Sequence, residues 1–123
     1  MLKRLSLAAV LAACTVTTAT GGPYDGVWIS SALPGDYLFV RDSGGMLIVA
    51  ELDAGGDAWR PYVGPITGNQ AAVSAIHEDL DLRSNITFSS DTVATMTVEH
   101  CMASGSLVCQ VQAGQSLELL KVY

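Results

Sequence analysis

Short runs of strand-forming residues, separated about every ten residues by glycine-containing turns, dominate the sequence from residue 24 to residue 123. Two of these runs, 36–42 and 46–52, are joined by Ser43-Gly44-Gly45, which predicts a β-hairpin because glycine readily adopts the positive φ angles of such turns. Eight or nine short strands at this spacing are typical of an all-β sandwich or barrel. We predict an all-β, antiparallel domain of about eight strands at residues 24–123, with a meander closed into a small barrel as the preferred architecture.

The predicted strands are the runs rich in β-branched and aromatic residues, at 26–30, 36–42, 46–52, 58–63, 85–89, 92–102, 107–112 and 116–122. Pro61 cannot donate a hydrogen bond to a neighbouring strand, so 58–63 is expected to be an edge strand or to contain a bulge. Residues 64–70 are expected to form a loop. The pattern at 71–82 fits both a helix and a strand, and we favour a strand because its surroundings are β.

The N-terminus has the layout of a cleaved secretory signal. Lys3 and Arg4 precede an apolar run of about nine residues, whereas a membrane-spanning helix needs about 20. Residues 15–23 lack aliphatic periodicity, which is typical of a flexible tether. We expect a cleaved signal, a tether that ends at residue 23, and a single domain at 24–123.

Leu11-Ala12-Ala13-Cys14 resembles the lipobox of bacterial lipoproteins, in which an aliphatic residue and two small residues precede a cysteine. The resemblance implies that the Cys14 sulfur receives a diacylglyceryl group, that the signal is cut before Cys14, and that the new amine is acylated. It therefore implies a signal peptide at 1–13 and an acylated cysteine with a flexible tether at 14–23. The implied partner is a lipid bilayer in the cell envelope. Thr15, which stands where an aspartate would retain the protein in the inner membrane, implies passage to the outer membrane.

The charge balance excludes one class of partner. The chain has six basic and twelve acidic residues, and removal of Lys3 and Arg4 with the signal leaves a net charge of 4 − 12 = −8. A protein this acidic repels phosphate backbones and anionic lipid headgroups, so nucleic acid is not expected as a partner and attachment to the membrane is expected from the acyl chains.

Cys101 and Cys109 are left to pair with each other once Cys14 is acylated. They lie in two predicted strands joined by Ser104-Gly105-Ser106, and the oxidising periplasm permits a disulfide. A redox or metal-binding pair is the alternative, but the sequence has neither the CxxC spacing nor supporting ligands. A structural disulfide is therefore predicted.

The sequence does not predict an enzyme, a metal site or a cofactor. Asp42-Ser43-Gly44-Gly45 is similar to the nucleophile motif of trypsin-like proteases, but no histidine precedes the serine, as the order of that triad requires. His77, Glu78, Asp79 and Asp81 could bind a divalent metal. Because alternation in a strand would turn Glu78 away from His77, a solvated loop or edge is the preferred interpretation.

Two other groups of residues are candidates for function. Glu51 and Glu99 lie within apolar runs, where burial could raise the pKa of a carboxyl enough for acid–base catalysis, but we expect both to point outward. Trp59, with Arg60 and Tyr62, is the candidate binding surface, because aromatic residues anchor protein interfaces.

Gly26-Val27-Trp28 at the start of the domain and Lys121 near its end resemble lipocalin-like and related calycin barrels. Those barrels often begin with Gly-x-Trp and pack a basic residue of the final strand over the tryptophan. The group includes carriers of small apolar ligands and small bacterial protease inhibitors. We therefore carry two hypotheses, a lipid-anchored and non-enzymatic module that binds an envelope protein, and a lipocalin-like carrier of a small apolar ligand.

Replacement of Cys14 by serine tests the anchor. Because the sulfur is the proposed acceptor of the diacylglyceryl group, Cys14→Ser should abolish incorporation of radiolabelled palmitate and block processing of the signal. Incorporation by the variant, or none by the wild type, would contradict acylation at Cys14.

Overall fold

The computed structural model describes residues 21–55 and 59–123 as eight antiparallel strands closed into a barrel. The strands are β1 Gly26–Ile29, β2 Tyr37–Ser43, β3 Met46–Leu52, β4 Trp59–Thr67, β5 Gln70–Ala75, β6 Leu80–Phe88, β7 Val93–Ala103 and β8 Ser116–Lys121. Each strand pairs with the next, and β8 returns to pair with β1. The predicted all-β class and the meander barrel are confirmed. The signal at 1–13, Cys14 and the tether up to residue 20 lie outside the described residues.

The core forms because alternate side chains of every strand point into the barrel. In β6, five alternate positions from Leu80 to Phe88 are buried and the four between them are exposed. An eight-stranded barrel is just wide enough for side chains to fill its interior. The interior is accordingly solid, with Trp28, Leu47, Ile86 and Leu119 among its largest fully buried side chains.

One end of the barrel, the short-turn end, carries the tight turns at 44–45, 68–69 and 89–92. Aromatic side chains close it, because Phe88 stacks on Tyr24 at 3.8 Å between ring centroids and meets the edge of Trp28 at 5.4 Å. Lys121 Nζ lies 6.0 Å from the Trp28 ring centroid. The two sequence ends that resemble calycin barrels therefore meet in space, while membership of that group stays a prediction.

The opposite, long-loop end carries residues 53–55, which follow β3, and the connections at 30–36, 76–79 and 104–115. The last of these, residues 104–115, is called the strap because it lies across the interior at this end. Val111 of the strap is buried in the core and Leu107 packs against it. A disulfide between Cys101 of β7 and Cys109 of the strap, with a Cα–Cα distance of 6.1 Å, holds the strap to the wall. Residues 21–55 and 59–123 contain no helix long and apolar enough to cross a membrane.

The disulfide is confirmed, but its predicted setting is wrong. Residues 107–112 were expected to form a strand paired with 92–102, whereas they form an irregular part of the strap. Leu107 and Val111 of this segment pack into the core and cover the end of the barrel. The bridge therefore joins a strand to a loop and does not set the register of two strands.

The expectation of an edge strand at Pro61 is also wrong, since β4 lies between β3 and β5. The Pro61 carbonyl accepts a hydrogen bond from the N–H of Ile76, which lies beyond the end of β5. The Pro61 nitrogen, which has no hydrogen to donate, therefore faces a position at which pairing with β5 has ended. Register with β3 is continuous from Met46↔Pro65 to Leu52↔Trp59, without a bulge. A closed barrel therefore accommodates the proline without an edge.

Two neighbouring expectations change in extent. Residues 64–67 belong to β4, so the predicted loop at 64–70 shrinks to a two-residue turn at 68–69. The region 71–82 contains β5 up to Ala75, a turn at 76–79 and the start of β6, so the preferred strand is interrupted by a turn. Strand β6 then continues through the predicted strand 85–89 as far as Phe88.

Removal of the disulfide should destabilise the barrel. Replacing both cysteines in Cys101→Ala/Cys109→Ala releases a closed loop of about nine residues. Because closure of such a loop lowers the entropy of the unfolded chain, its loss should reduce the free energy of unfolding by roughly 2.5 kcal/mol. Thermal and denaturant unfolding of the variant, compared with wild type under oxidising and reducing conditions, measure the loss. Reduced wild type should match the variant. Equal stability of oxidised wild type and variant would contradict this role of the bridge.

Candidate functional site

A buried polar cluster lies inside the long-loop end of the barrel. Glu51 on β3 pairs directly with Arg60 on β4 and its side chain points inward, against our expectation that it points outward. Arg60 Nη1 donates to Glu51 Oε1 at 3.0 Å, and the Tyr62 hydroxyl donates to Oε2 at 2.6 Å. Arg60 Nη2 also lies 3.7 Å from Asp53. Both carboxylate oxygens of Glu51 are thus occupied, which is the usual condition for burying such a group.

Burial raises the pKa of Glu51 above its ordinary value of 4.5. The Tyr62 hydrogen bond and the Arg60 charge oppose that rise, whereas the neighbouring carboxyl of Asp36, itself buried, adds to it. The pKa of Tyr62 is raised as well, first by burial and then by the negative charge of Glu51. The cluster therefore binds protons differently in the folded and unfolded chain.

The interior beside this cluster leaves little room. The cavity under the strap, between Tyr62, Leu82, Met96 and Val111, measures about 30 Å³ on a scale on which one water molecule needs roughly 10–15 Å³. Pockets for small organic ligands measure roughly 300–1,000 Å³. With the strap in this position, the cavity can hold about two water molecules. The hydrogen bonds within the polar cluster therefore serve to satisfy its own buried charged groups.

Each of the two histidine side chains interacts with a nearby aspartate residue. His77 Nδ1 accepts the backbone N–H of Asp79 in the turn between β5 and β6, whereas Asp81 lies on the outer surface of β6, 3.1 Å from His100 Nε2. The structure thus separates the His77–Asp79 turn from Asp81. No group of three or more histidine, cysteine, aspartate or glutamate side chains in the described parts of the chain is placed to hold a metal ion. Glu99 is exposed, as expected, and accepts a hydrogen bond from Asn85.

The outer surface of the barrel has two unlike halves. The half formed by β1 to β4, called the apolar face, consists of Val27, Ile29, Tyr37, Phe39, Met46, Ile48, Ala50, Leu52, Trp59, Pro61, Val63 and Pro65, interrupted by Arg41, Ser43 and Thr67. The outward positions of β5 to β8 are mostly polar, at Gln70, Ser74, Asp81, Arg83, Asn85, Thr87, Thr95, Thr97, Glu99, His100, Ser116 and Glu118, with Ala72, Val93, Met102 and Leu120 between them. Apolar surface this continuous is typical of an interaction site.

The structure divides the predicted binding surface of Trp59, Arg60 and Tyr62. Trp59 lies on the apolar face with 56 % of its surface exposed, and its ring meets Phe39 at 5.5 Å between centroids. Arg60 and Tyr62 point into the barrel, and Tyr62 keeps only 4 % of its surface exposed. Alternation along the strand separates the three, so only Trp59 remains available as a surface contact.

A second exposed group was missed by the sequence analysis. Ile76, Met102 and Val108, called the rim, are 61 %, 66 % and 71 % exposed at the long-loop end. Met102 follows Cys101 and Val108 precedes Cys109, so the disulfide fixes both positions. Ser104 N–H donates to the Asp79 carbonyl, which ties the strap to the turn that carries Ile76. The position of Met102 and Val108 next to the two cysteines was the sequence signal for this group, but the assignment of 107–112 as a strand concealed it.

Comparison with protein families, with curated proteins and with solved structures finds no match to this chain.

The raised pKa of Glu51 predicts a pH dependence of stability. The folded chain holds a proton that the unfolded chain releases above pH 4.5, so this contribution is complete below pH 4.5 and is lost as pH rises through the folded pKa. Glu51→Gln, which is neutral at every pH, should remove this part of the decline, so its stability relative to wild type should improve as pH rises.

Unfolding curves of wild type and variant between acid and neutral pH check this outcome. The matched control is Glu99→Gln, which changes an exposed carboxyl and should keep the wild-type dependence on pH. Parallel pH profiles for wild type and Glu51→Gln would contradict the assignment.

Proposed function

We propose that the chain is a lipid-anchored, non-enzymatic module of the cell envelope, held in the outer membrane through acylated Cys14, that binds an envelope protein through the rim. The observation that carries this proposal is the position of Met102 and Val108 beside the disulfide. Among the described large apolar residues, only Tyr123 is more exposed than these two. Exposed apolar side chains beside a disulfide that braces a loop against a strand are suited to recognition of a protein surface.

The brace matters because ordering of loops on binding costs free energy. The strap is fixed by the disulfide, by Val111 in the core, and by the hydrogen bond from Gly114 N–H to the Val98 carbonyl. A loop that is already ordered loses little conformational entropy when a partner covers it. The rim thus presents its apolar side chains at low entropic cost.

The interior supports binding at the surface over transport of a ligand. The carrier hypothesis needs a pocket that holds a small apolar molecule, whereas the strap leaves about 30 Å³ inside the barrel. Glu51, the buried carboxyl with a raised pKa, is engaged by Arg60 and Tyr62 and faces that filled space. These features favour a protein-binding module over a carrier or an enzyme.

Photo-crosslinking in intact cells tests the rim. A photoreactive amino acid placed at Met102 or Val108 should form adducts with an envelope protein, because both side chains are exposed at the long-loop end. The matched control positions are Asn85 and Thr95, which are exposed on the polar half of the barrel.

Mass spectrometry of the adducts identifies the partner. Adducts at both rim positions and none at the controls would support the proposal. Equal yields at rim and control positions, or adducts at neither, would contradict binding through the rim. A lipid recovered from the interior of purified protein would instead support the carrier hypothesis.

A further inference from the structure

We infer that the apolar face lies on the surface of the lipid bilayer that anchors Cys14. The inference rests on the proposed acylation and adds a second, non-covalent contact between the chain and the membrane. It assigns the apolar face to lipid and leaves the rim to the protein partner.

The charge distribution of the barrel suits this orientation. The outward positions of β1 to β4 include no acidic residue, although the chain has twelve. Their single charge, Arg41, lies 3.0 Å from Asp25. The opposite half carries Asp81, Glu99 and Glu118 together with Arg83. Placing that half on lipid would strip water from these charges, so the charge distribution favours the apolar face toward the membrane.

The point at which the chain enters the barrel places the anchor beside this face. Gly22 N–H donates to the Asp42 carbonyl, and Asp25 accepts from Asp42 N–H, so the segment at 22–25 runs alongside β2. Gly21 follows Cys14 by 21 − 14 = 7 positions. Seven residues span at most about 25 Å, whatever their conformation.

That reach is sufficient for the face to rest on lipid. Phe39 lies three positions before Asp42 in β2, which corresponds to about 10 Å along the strand. Because the tether limits how far the barrel can leave the bilayer, the face meets lipid at a high effective concentration. Tyr37, Phe39 and Trp59 supply aromatic rings, which are favoured at the interface between membrane and water.

The rim remains accessible in this orientation. Strands β3 and β7 are separated by four positions in an eight-stranded barrel, so they lie on opposite sides. Ile48 and Leu52 of β3 belong to the apolar face, whereas Met102 projects from β7. With the apolar face on the bilayer, Met102 is turned toward the surrounding solution.

The two tryptophans provide a test within the natural sequence. The acylated full-length protein is reconstituted into phosphatidylcholine vesicles, with or without bromine atoms on the acyl chains, and tryptophan emission is recorded. Trp59 is exposed on the apolar face and Trp28 is fully buried. We expect brominated lipid to remove most of the Trp59 emission and to leave that of Trp28, observed alone in Trp59→Phe, unchanged.

Two further variants make the test specific for orientation. Thr95→Trp in the Trp59→Phe background reports from the polar half of the barrel and should not be quenched. Ile48→Glu places a charge in the middle of the apolar face, so it should restore Trp59 emission while the acyl chains keep the protein on the vesicles.

The inference is overturned if brominated lipid quenches Trp59 and the Thr95→Trp reporter alike, or quenches neither, in protein that carries palmitate. Emission from Trp59 that resists brominated lipid but is shielded from acrylamide in native envelopes would assign the face to a protein, which also overturns it. Protein without palmitate would overturn both the anchor and this inference. Palmitate labelling therefore separates failure of the anchor from failure of the orientation.

Discussion

Pairing of the first and last strands holds the barrel closed, and the arrangement of the other strands depends on it. Only Trp28↔Lys121 and Ile29↔Leu120 join β1 to β8 in register, so the contacts around this short ladder are decisive. Val27 extends the seam through hydrogen bonds with the backbone of Tyr123 and Val122. Gly26, with φ of 148°, is required there because a Cβ atom would lie 2.0 Å from the Tyr123 carbonyl oxygen.

Closure also explains how a chain of this size encloses a core without a second layer. Once β8 reaches β1, none of the eight described strands is an edge strand, and the inward side chains of all eight share one interior. Trp28 fills the short-turn end of that interior, with its Nε1–H donated to the Tyr24 carbonyl at 3.0 Å. The strap fills the other end.

The strand order and most strand positions could be predicted from the sequence because turns are local. The run 46–52 coincides with β3, and the hairpin through Gly44 and Gly45 joins it to β2 as expected. The orientation of the side chains could not be predicted where a strand is apolar on both faces. In β3, Leu47 points inward and Ile48 outward, so their neighbours gave no indication that Glu51 is buried. The apolar face removed the alternation that would have revealed which side of β3 and β4 is inside.

The strap was misassigned for a different physical reason. Val108 and Val111 have strand-forming side chains, but no neighbouring strand is available to pair with residues 107–112. Their conformation is set by the disulfide and by the open end that they cover, both of which depend on the folded barrel. The rim could therefore be located only once β7 and Cys101 were in place. Proposed contacts with lipid and with protein then lie on opposite sides of one small barrel.

The two prolines of β4 make the cross-strand hydrogen bonding uneven around the barrel wall. Ile66 N–H turns toward β3, where it donates to the Gly45 carbonyl, so the donor-less nitrogen of Pro65 faces β5. Paired residues between β4 and β5 stop at Val63↔Ser74 and resume at Ile66↔Ala71. The backbones approach closely in this gap, since a Cβ atom on Gly64 would lie 1.6 Å from the Ala72 carbonyl oxygen. Fewer cross-strand hydrogen bonds lower the free energy of local opening, so the seam between β4 and β5, with four paired positions, should open more easily than the neighbouring seam between β3 and β4, whose seven pairs are continuous.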